Sequence, residues 1–258
     1  MDKGFTLVIP LYNKVNVVRK TLDSVLNNHG SYPFKCIIVD DDSTDGSSEI
    51  GEEYDVKYPE VFQYFKIKHH GNKTPSDARN FGIKLAETRY IGFLDADDEL
   101  CSGFIDRGCT FLDEHPEYSM YGNGYIHNGV NGVWDHNYDN GGCLSFEVCA
   151  LNNNFGMPFC SNIYKTELVK QNLFANCYHE DFVFKFKYIY NNPNIWIDNT
   201  RCDSIIYNEM NSESYQWNIQ RYNDTMFMEI FTELDKEIPD FRYGYRVDEN
   251  GFGWFWYK

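Results

Sequence analysis

FKCIIVDDDSTD (34–45) and YIGFLDADD (90–98) have the same form. Each is an almost wholly apolar run that stops at a cluster of acids. An apolar run without alternation fits a strand covered on both faces, as in a parallel sheet. Around these two runs the chain alternates. FTLVIP (5–10) reads as a strand, and 16–28 as a helix with Val18, Leu22, Val25 and Leu26 on one face. A helix at 43–58 and a strand at 61–66 follow. The next helix, 74–87, is opened by Pro75 and carries Ala78, Phe81 and Leu85 at helical steps. After the strand 90–94, a helix at 103–114 stops before Pro116. Such repetition predicts an α/β fold with an open, mostly parallel sheet, and function at the carboxyl ends of its strands.

Beyond residue 120 the pattern loosens. Residues 120–133 (MYGNGYIHNGVNGV) read as hairpins or loops, with Asn-Gly turns. Helices are expected at 162–172 and 179–190, and a short strand at 195–198. A late helix is expected where Ile219, Tyr222, Met226, Ile230 and Leu234 step by three or four. The tail GFGWFWYK (251–258) is dense in aromatics, which read first as packing or a subunit contact, although aromatic faces also suit sugar rings. No linker or repeat divides the chain. The expectation is one domain over 1–258, with a regular half (1–120) and a looser half that ends in a helical, aromatic tail (121–258).

Composition narrows the function. The chain has 258 residues, 42% hydrophobic and 17% aromatic, which argues against disorder. Lys and Arg total 23 against 39 Asp and Glu, a net charge of −16, so the overall field repels nucleic acid and anionic lipid. No stretch approaches the roughly 18 apolar residues that span a bilayer, and 5–11 is too short for a signal core. Cytoplasmic residence is expected, with peripheral contact at the inner face of a membrane left open. The eight cysteines form no Cys-x-x-Cys pair and read as dispersed thiols.

The acidic clusters carry the chemistry. Asp and Ser also favour turns and helix caps, so either cluster alone has a structural explanation; Ser43 and Thr44 read best as such caps. Two clusters at strand ends point further, to a divalent cation, Mn²⁺ or Mg²⁺, of the kind held by carboxylates and substrate phosphates. CIIVDDDST also fits a haloacid-dehalogenase-like phosphatase, with Asp40 as nucleophile and Asp42 as acid.

Five motifs in order decide between these. They are PLYNK (10–14), VDDDSTDGS (39–47), SDARNFGI (76–83), FLDADD (93–98) and HEDF (179–182). In this order they resemble glycosyltransferase family 2, the inverting nucleotide-sugar transferases, closely over about 4–120 and more loosely over 155–215. The phosphatase reading leaves PLYNK, SDARN and HEDF without a role. The resemblance implies a nucleotide-diphospho-sugar transferase domain of GT-A, Rossmann-like type, with a central mixed, mostly parallel sheet flanked by helices. It implies transfer from a nucleotide-sugar donor, a UDP-sugar by preference, to a glycan or lipid-linked acceptor, aided by Mn²⁺ or Mg²⁺. Pro10 and Tyr12 would line the base pocket, and Asp40, with Asp41 beside it, would meet the base. Arg79 would approach the nucleotide, and Asp95 and Ala96 would lie near the ribose. Asp97, with Asp98 beside it, would hold the metal. Asp181 would be the catalytic base, with Glu180 as the alternative.

The sequence departs from the family pattern twice. Asp42 stands where glycine is usual. The stretch Tyr207–Ser212 supplies no His or Arg near Met210 to help with metal or phosphates, which leaves a binding protein without turnover as a second reading. His69 and His70 read as loop histidines.

Overall fold

A computed structural model of the chain describes residues 1–28, 30–70, 74–129, 132–136, 141–145, 158–177, 179–208, 232–234, 236, 243–247 and 253–257. Its first half alternates as expected: β1 (Asp2–Leu11), α1 (Val18–Leu26), β2 (Phe34–Asp40), α2 (Ser47–Lys57), β3 (Phe62–Lys66), α3 (Ser76–Leu85) and β4 (Thr88–Phe93). A short β5 (Glu99–Leu100), α4 (Phe104–Glu114), β6 (Met120–Gly129), β7 (Gly132–His136) and β8 (Gly142–Leu144) follow. A 3-10 turn (Phe159–Ser161) leads into β9 (Asn162–Lys165), α5 (Thr166–Val169), α6 (Glu180–Asn191) and β10 (Ile195–Asn208). β11 (Tyr243–Val247) and β12 (Gly253–Tyr257) pair as a separate antiparallel ribbon.

The central sheet runs β3-β2-β1-β4-β9-β6-β10-β5. β3, β2, β1 and β4 are parallel, as are β6 and β10, while β9 is antiparallel to both its neighbours. The sheet is therefore mixed, and strands from both halves of the chain share it. Two cores cover its faces. Phe5, Leu7, Ile9 and Leu11 of β1 point to the side of α1, α2 and α4, whereas Val8 points to the side of α3, α5 and α6. This is the period-two alternation of a central strand. On the second side the approach is close: a Cβ on Gly82 would lie 2.4 Å from Val8 Cγ1, so α3 packs over β1 only because that position has no side chain.

Three expectations need correction. Residues 162–172 are not one helix: four of them form β9, which fills the gap between β4 and β6, and only 166–169 are α-helical. The strand expected at 195–198 continues to Asn208, with register shifts after Asp198 and Cys202. Helix α2 begins at Ser47 behind Gly46 (φ 100°), so Ser43 and Thr44 do not cap it. Of the late helix expected at 219–234, only 232–234 lie among the described residues, and they are helical. The side chains of the aromatic tail lie outside the described set, as does 209–212. No helix among the described residues is long and apolar enough to cross a membrane. The described cysteines are all free thiols.

Candidate active site

The parallel register brings Leu11 beside Asp40 and Val8 beside Phe93, so the motif-bearing loops leave one edge of the sheet together. The loop after β2 ties down the loop after β1. Ser43 Oγ accepts from Asn13 N at 3.0 Å, Ser47 Oγ from Lys14 N at 2.7 Å and Asp45 Oδ2 from Val15 N at 3.0 Å. Thr44 N donates back to Asn13 Oδ1 at 2.8 Å. The hydroxyls and carboxylate of DSTDGS therefore replace the ladder partners that PLYNK loses where the strand ends. Asn13 (φ 50°) and Asp42 (φ 64°) are both left-handed, which explains why glycine suits position 42.

The neighbours Asp40 and Asp41 have different surroundings. Asp40 is wholly buried and accepts from Ser43 N (2.8 Å), Tyr64 Oη (2.6 Å) and Ser48 Oγ. Burial pushes its carboxyl up, but the hydrogen bonds from Ser43, Ser48 and Tyr64 outweigh that and hold it below the ordinary value. With Oδ1 engaged by its own loop and Oδ2 by Ser48 of α2 and Tyr64 of β3, Asp40 is a lock for the turn and is not placed as a nucleophile. Asp41 Oδ1 is buried with no hydrogen-bond partner, and Asp41 Oδ2 lies 2.8 Å from His69 Nδ1. The His69 ring stacks on Tyr12, with centroids 5.1 Å apart and planes 10° apart. His69 is thus no plain loop histidine, although His70 is exposed. Pro10 lies buried in β1, next to Val39 of β2.

The second cluster is held by cations. After β4, Asp98 N donates to Asp95 O at 3.0 Å to close a turn, and the Ala96 carbonyl is fixed by Thr21 Oγ1 at 2.9 Å. Asp97 Oδ2 pairs with Lys14 Nζ at 2.6 Å, and Asp95 Oδ1 with Arg79 Nη2 at 2.6 Å. Asp98 is buried and accepts from Tyr207 N at 3.2 Å. Burial, together with Asp95 and Asp97, pushes its carboxyl well above the usual carboxylate range. A divalent cation would relieve that crowding. No group of three His, Cys, Asp or Glu able to hold a metal exists among the described residues. Asp97 and Asp98 fit a cation of the Mg²⁺ or Mn²⁺ kind that takes its remaining oxygens from substrate phosphates and water. A cavity of about 380 Å³ opens beside the Lys14–Asp97 pair, lined also by Asn16, Lys20, Glu99 and Tyr207.

Arg79 joins the donor side to the base side. Its side chain is 3% exposed, and the guanidinium reaches Asp95 with Nη2 and Glu180 Oε1 with Nη1, at 2.6 Å each. It also lies over Phe159 and Phe174, 5.0 and 5.3 Å from their centroids. The rest of SDARN holds the chain that leads to α6. Ser76 Oγ donates to Ala175 O at 2.8 Å, and Asn80 exchanges two hydrogen bonds of 2.9 Å with the Phe174 backbone. His179 then turns left-handed (φ 54°) and sets Glu180 and Asp181 in the first turn of α6, where the helix dipole favours acids. The two acids differ. Burial pushes Glu180 up to about 7 against the pull of Arg79. Asp181 is 41% exposed at its side chain, and its Oδ2 lies 3.9 Å from the fully buried Lys185 Nζ. Desolvation pushes Asp181 up, but Lys185, His179 and Arg79 together hold it below the ordinary value. Asp181 is therefore an ionised, reachable carboxylate, and Glu180 a buried anchor for Arg79.

The motifs as read left Lys14, His69 and Lys185 without roles. Lys14 stands inside the quoted PLYNK, which was the available signal, whereas His69 had only its place after a strand. Lys185 interrupts the apolar stretch of α6, and a charged residue in such a run is the sequence mark of a buried partner.

Comparison with known proteins agrees with this fold. The description "Glycosyl transferase family 2" matches residues 6–191. The minor teichoic acid biosynthesis protein GgaB of Bacillus subtilis (strain 168) is 39% identical over 112 residues, which is 43% of this chain and 12% of that protein. The chain thus spans a small part of that relative's length. Among solved structures, S. aureus TarS 1-349 in complex with UDP-GlcNAc superposes with a TM-score of 0.73 at 21% identity, over 90% of this chain and 66% of that one. The mannosyltransferase PcManGT from Pyrobaculum calidifontis, in complex with GDP-Man and Mn²⁺, gives a TM-score of 0.65 at 14% identity, over 92% and 65%. At these identities the two structures establish the fold alone, which is of GT-A type.

Proposed function

The chain belongs to glycosyltransferase family 2, and on that premise we propose that it moves a hexose from a UDP-sugar to a hydroxyl of a glycan or lipid-linked acceptor, with inversion. The observation that carries the reading is the double ion pair of Arg79, which ties Asp95 on the donor side to Glu180 beside the proposed base. Tyr12 and Pro10 take the flat faces of the base. Asp41 accepts its ring N–H, while Asp40 keeps the loop in shape. Asp95 and the Ala96 backbone meet the ribose. Asp97, with Asp98, would hold Mn²⁺ or Mg²⁺. The cation, when bound, neutralises charge that develops on the leaving phosphate.

Asp181 takes the proton from the acceptor hydroxyl. The acceptor oxygen then bonds to the anomeric carbon as the bond to the diphosphate oxygen breaks, and the electron pair leaves on UDP. Asp181 is suited to this because its neighbours keep it ionised at neutral pH while its side chain stays reachable. Arg79 orients the site, and Glu180 anchors Arg79. The proposed seat is the cytoplasm, at the inner face of the membrane when the acceptor is lipid-linked. The name of GgaB supports an acceptor of the cell-wall polymer class.

The test is release of UDP from a panel of UDP-sugars with Mn²⁺ present. Asp181→Asn is expected to lose transfer and keep UDP affinity. Full transfer by that variant would remove Asp181 from the role of base. Binding of UDP without release from any donor, whatever acceptor is offered, would favour the reading as a binding protein.

A further inference from the structure

We infer that His69 is an internal stand-in for the nucleobase, holding the base pocket until the donor displaces it. The inference rests on the reading of Tyr12 and Asp41 as the base pocket. His69 is a flat aromatic ring that lies on Tyr12, 10° from parallel with centroids 5.1 Å apart. Its Nδ1–H donates to Asp41 Oδ2 at 2.8 Å. A pyrimidine with a ring N–H offers the same two features, a π-face and one in-plane donor. Asp41 is 10% exposed at its side chain, and its other oxygen is buried without a partner. The imidazole and a base ring N–H therefore compete for one acceptor oxygen. His69 itself is 28% exposed at its side chain, so the ring can leave into solvent.

The stand-in also explains the isolated charge. A carboxylate as enclosed as Asp41 is costly without a donor, and the imidazole supplies one in the unliganded protein. The donor then binds only the open fraction, and its apparent affinity falls by that fraction. Among the described residues, no other side chain is recorded both stacked on Tyr12 and bonded to Asp41.

The experiment is calorimetric titration of the full chain with UDP and, separately, with inorganic pyrophosphate, both with Mn²⁺ present. His69→Ala is expected to bind UDP about five- to thirtyfold more tightly, the equivalent of one charge-assisted hydrogen bond and a ring stack released. Pyrophosphate has no base and is expected to bind both proteins alike. His69→Phe keeps the ring and loses the N–H, and is expected to fall between them. UDP affinity that is unchanged or weaker in His69→Ala, with pyrophosphate unaltered, would overturn the inference while leaving the donor site intact. No UDP binding by either protein would overturn the donor-site reading and this inference with it. In the unsubstituted protein, saturating UDP is expected to shift the imidazole ¹⁵N signal of His69; an unmoved signal would also count against displacement.

Discussion

Asp40 and Asp45, after β2, are met by hydroxyls and amides, whereas Asp95 and Asp97, after β4, are met by cations. Asp40 is closed in by Ser43, Ser48 and Tyr64, and Asp45 by Ser47 and the Val15 amide. Asp95 and Asp97 instead pair with Arg79 and Lys14. Hydroxyl and amide partners are built into neighbouring loops and fix one geometry. Lys14 and Asp97 are partly exposed, at 34% and 25% of their side chains, so their pairing can be exchanged for a ligand at small cost. Two clusters of like composition at like places in one sheet thus differ: the first shapes the loops, and the second, on the proposed reading, would take diphosphate and metal. Asp41 and Asp42 are the exceptions in the first cluster: Asp42 pairs with Lys66 in solvent, and Asp41 faces the His69 ring.

That division can be broken from either side. The largest effect is expected at Asp97→Ala, which should lower transfer about 10²–10³-fold while the melting temperature stays near that of the parent. A large loss of stability instead would place Asp97 with the structural acids. Arg79→Met should cost about 3–5 kcal/mol in denaturant unfolding, because two carboxylates lose their shared counter-charge. A neutral outcome would mean that Asp95 and Glu180 find other partners.

Asp40→Asn should destabilise by about 2–3 kcal/mol, since three donors lose an ionised acceptor. It should also change the pH profile. A carboxyl held below its ordinary value in the fold stabilises fully above the unfolded pKa of about 3.9, and that stability is lost as pH falls through the lower folded value. The acid limb of the stability curve should therefore flatten in Asp40→Asn, and an unchanged limb would contradict the assigned hydrogen bonds. The smallest effect is at Asp42→Gly, which relieves a left-handed aspartate and should stabilise by about 0.5–1 kcal/mol. Its lost pair with Lys66, at 3.6 Å and half exposed, weighs little.

The first half was legible because its signals are local. Apolar runs such as CIIV mark doubly covered strands, and the acids after them mark the sheet edge where loops converge. The second half depends on pairing. β9 is four residues long and has no period of its own; it is a strand because β4 and β6 leave a gap that it fills. β10 looked short because Asp198-Asn199-Thr200 interrupts its apolar pattern, and register shifts absorb that polar stretch while the pairing with β6 continues. At the site, the residue types and their order could be read, but not the difference between Asp40 and Asp41. The side of the chain on which each carboxylate emerges decides which is enclosed by Ser48 and Tyr64 and which meets His69. Adjacent letters carry no sign of that, and the same holds for Glu180 and Asp181, which separate only when Arg79 claims one of them.

The central claim is that the acids after β4 bind a nucleoside diphosphate through a divalent cation. Calorimetric titration of the purified chain with UDP, with and without Mn²⁺, tests it most directly. The account predicts clear binding with Mn²⁺ and at least a tenfold loss without it. Equal affinity in both conditions, or no binding in either, would contradict it.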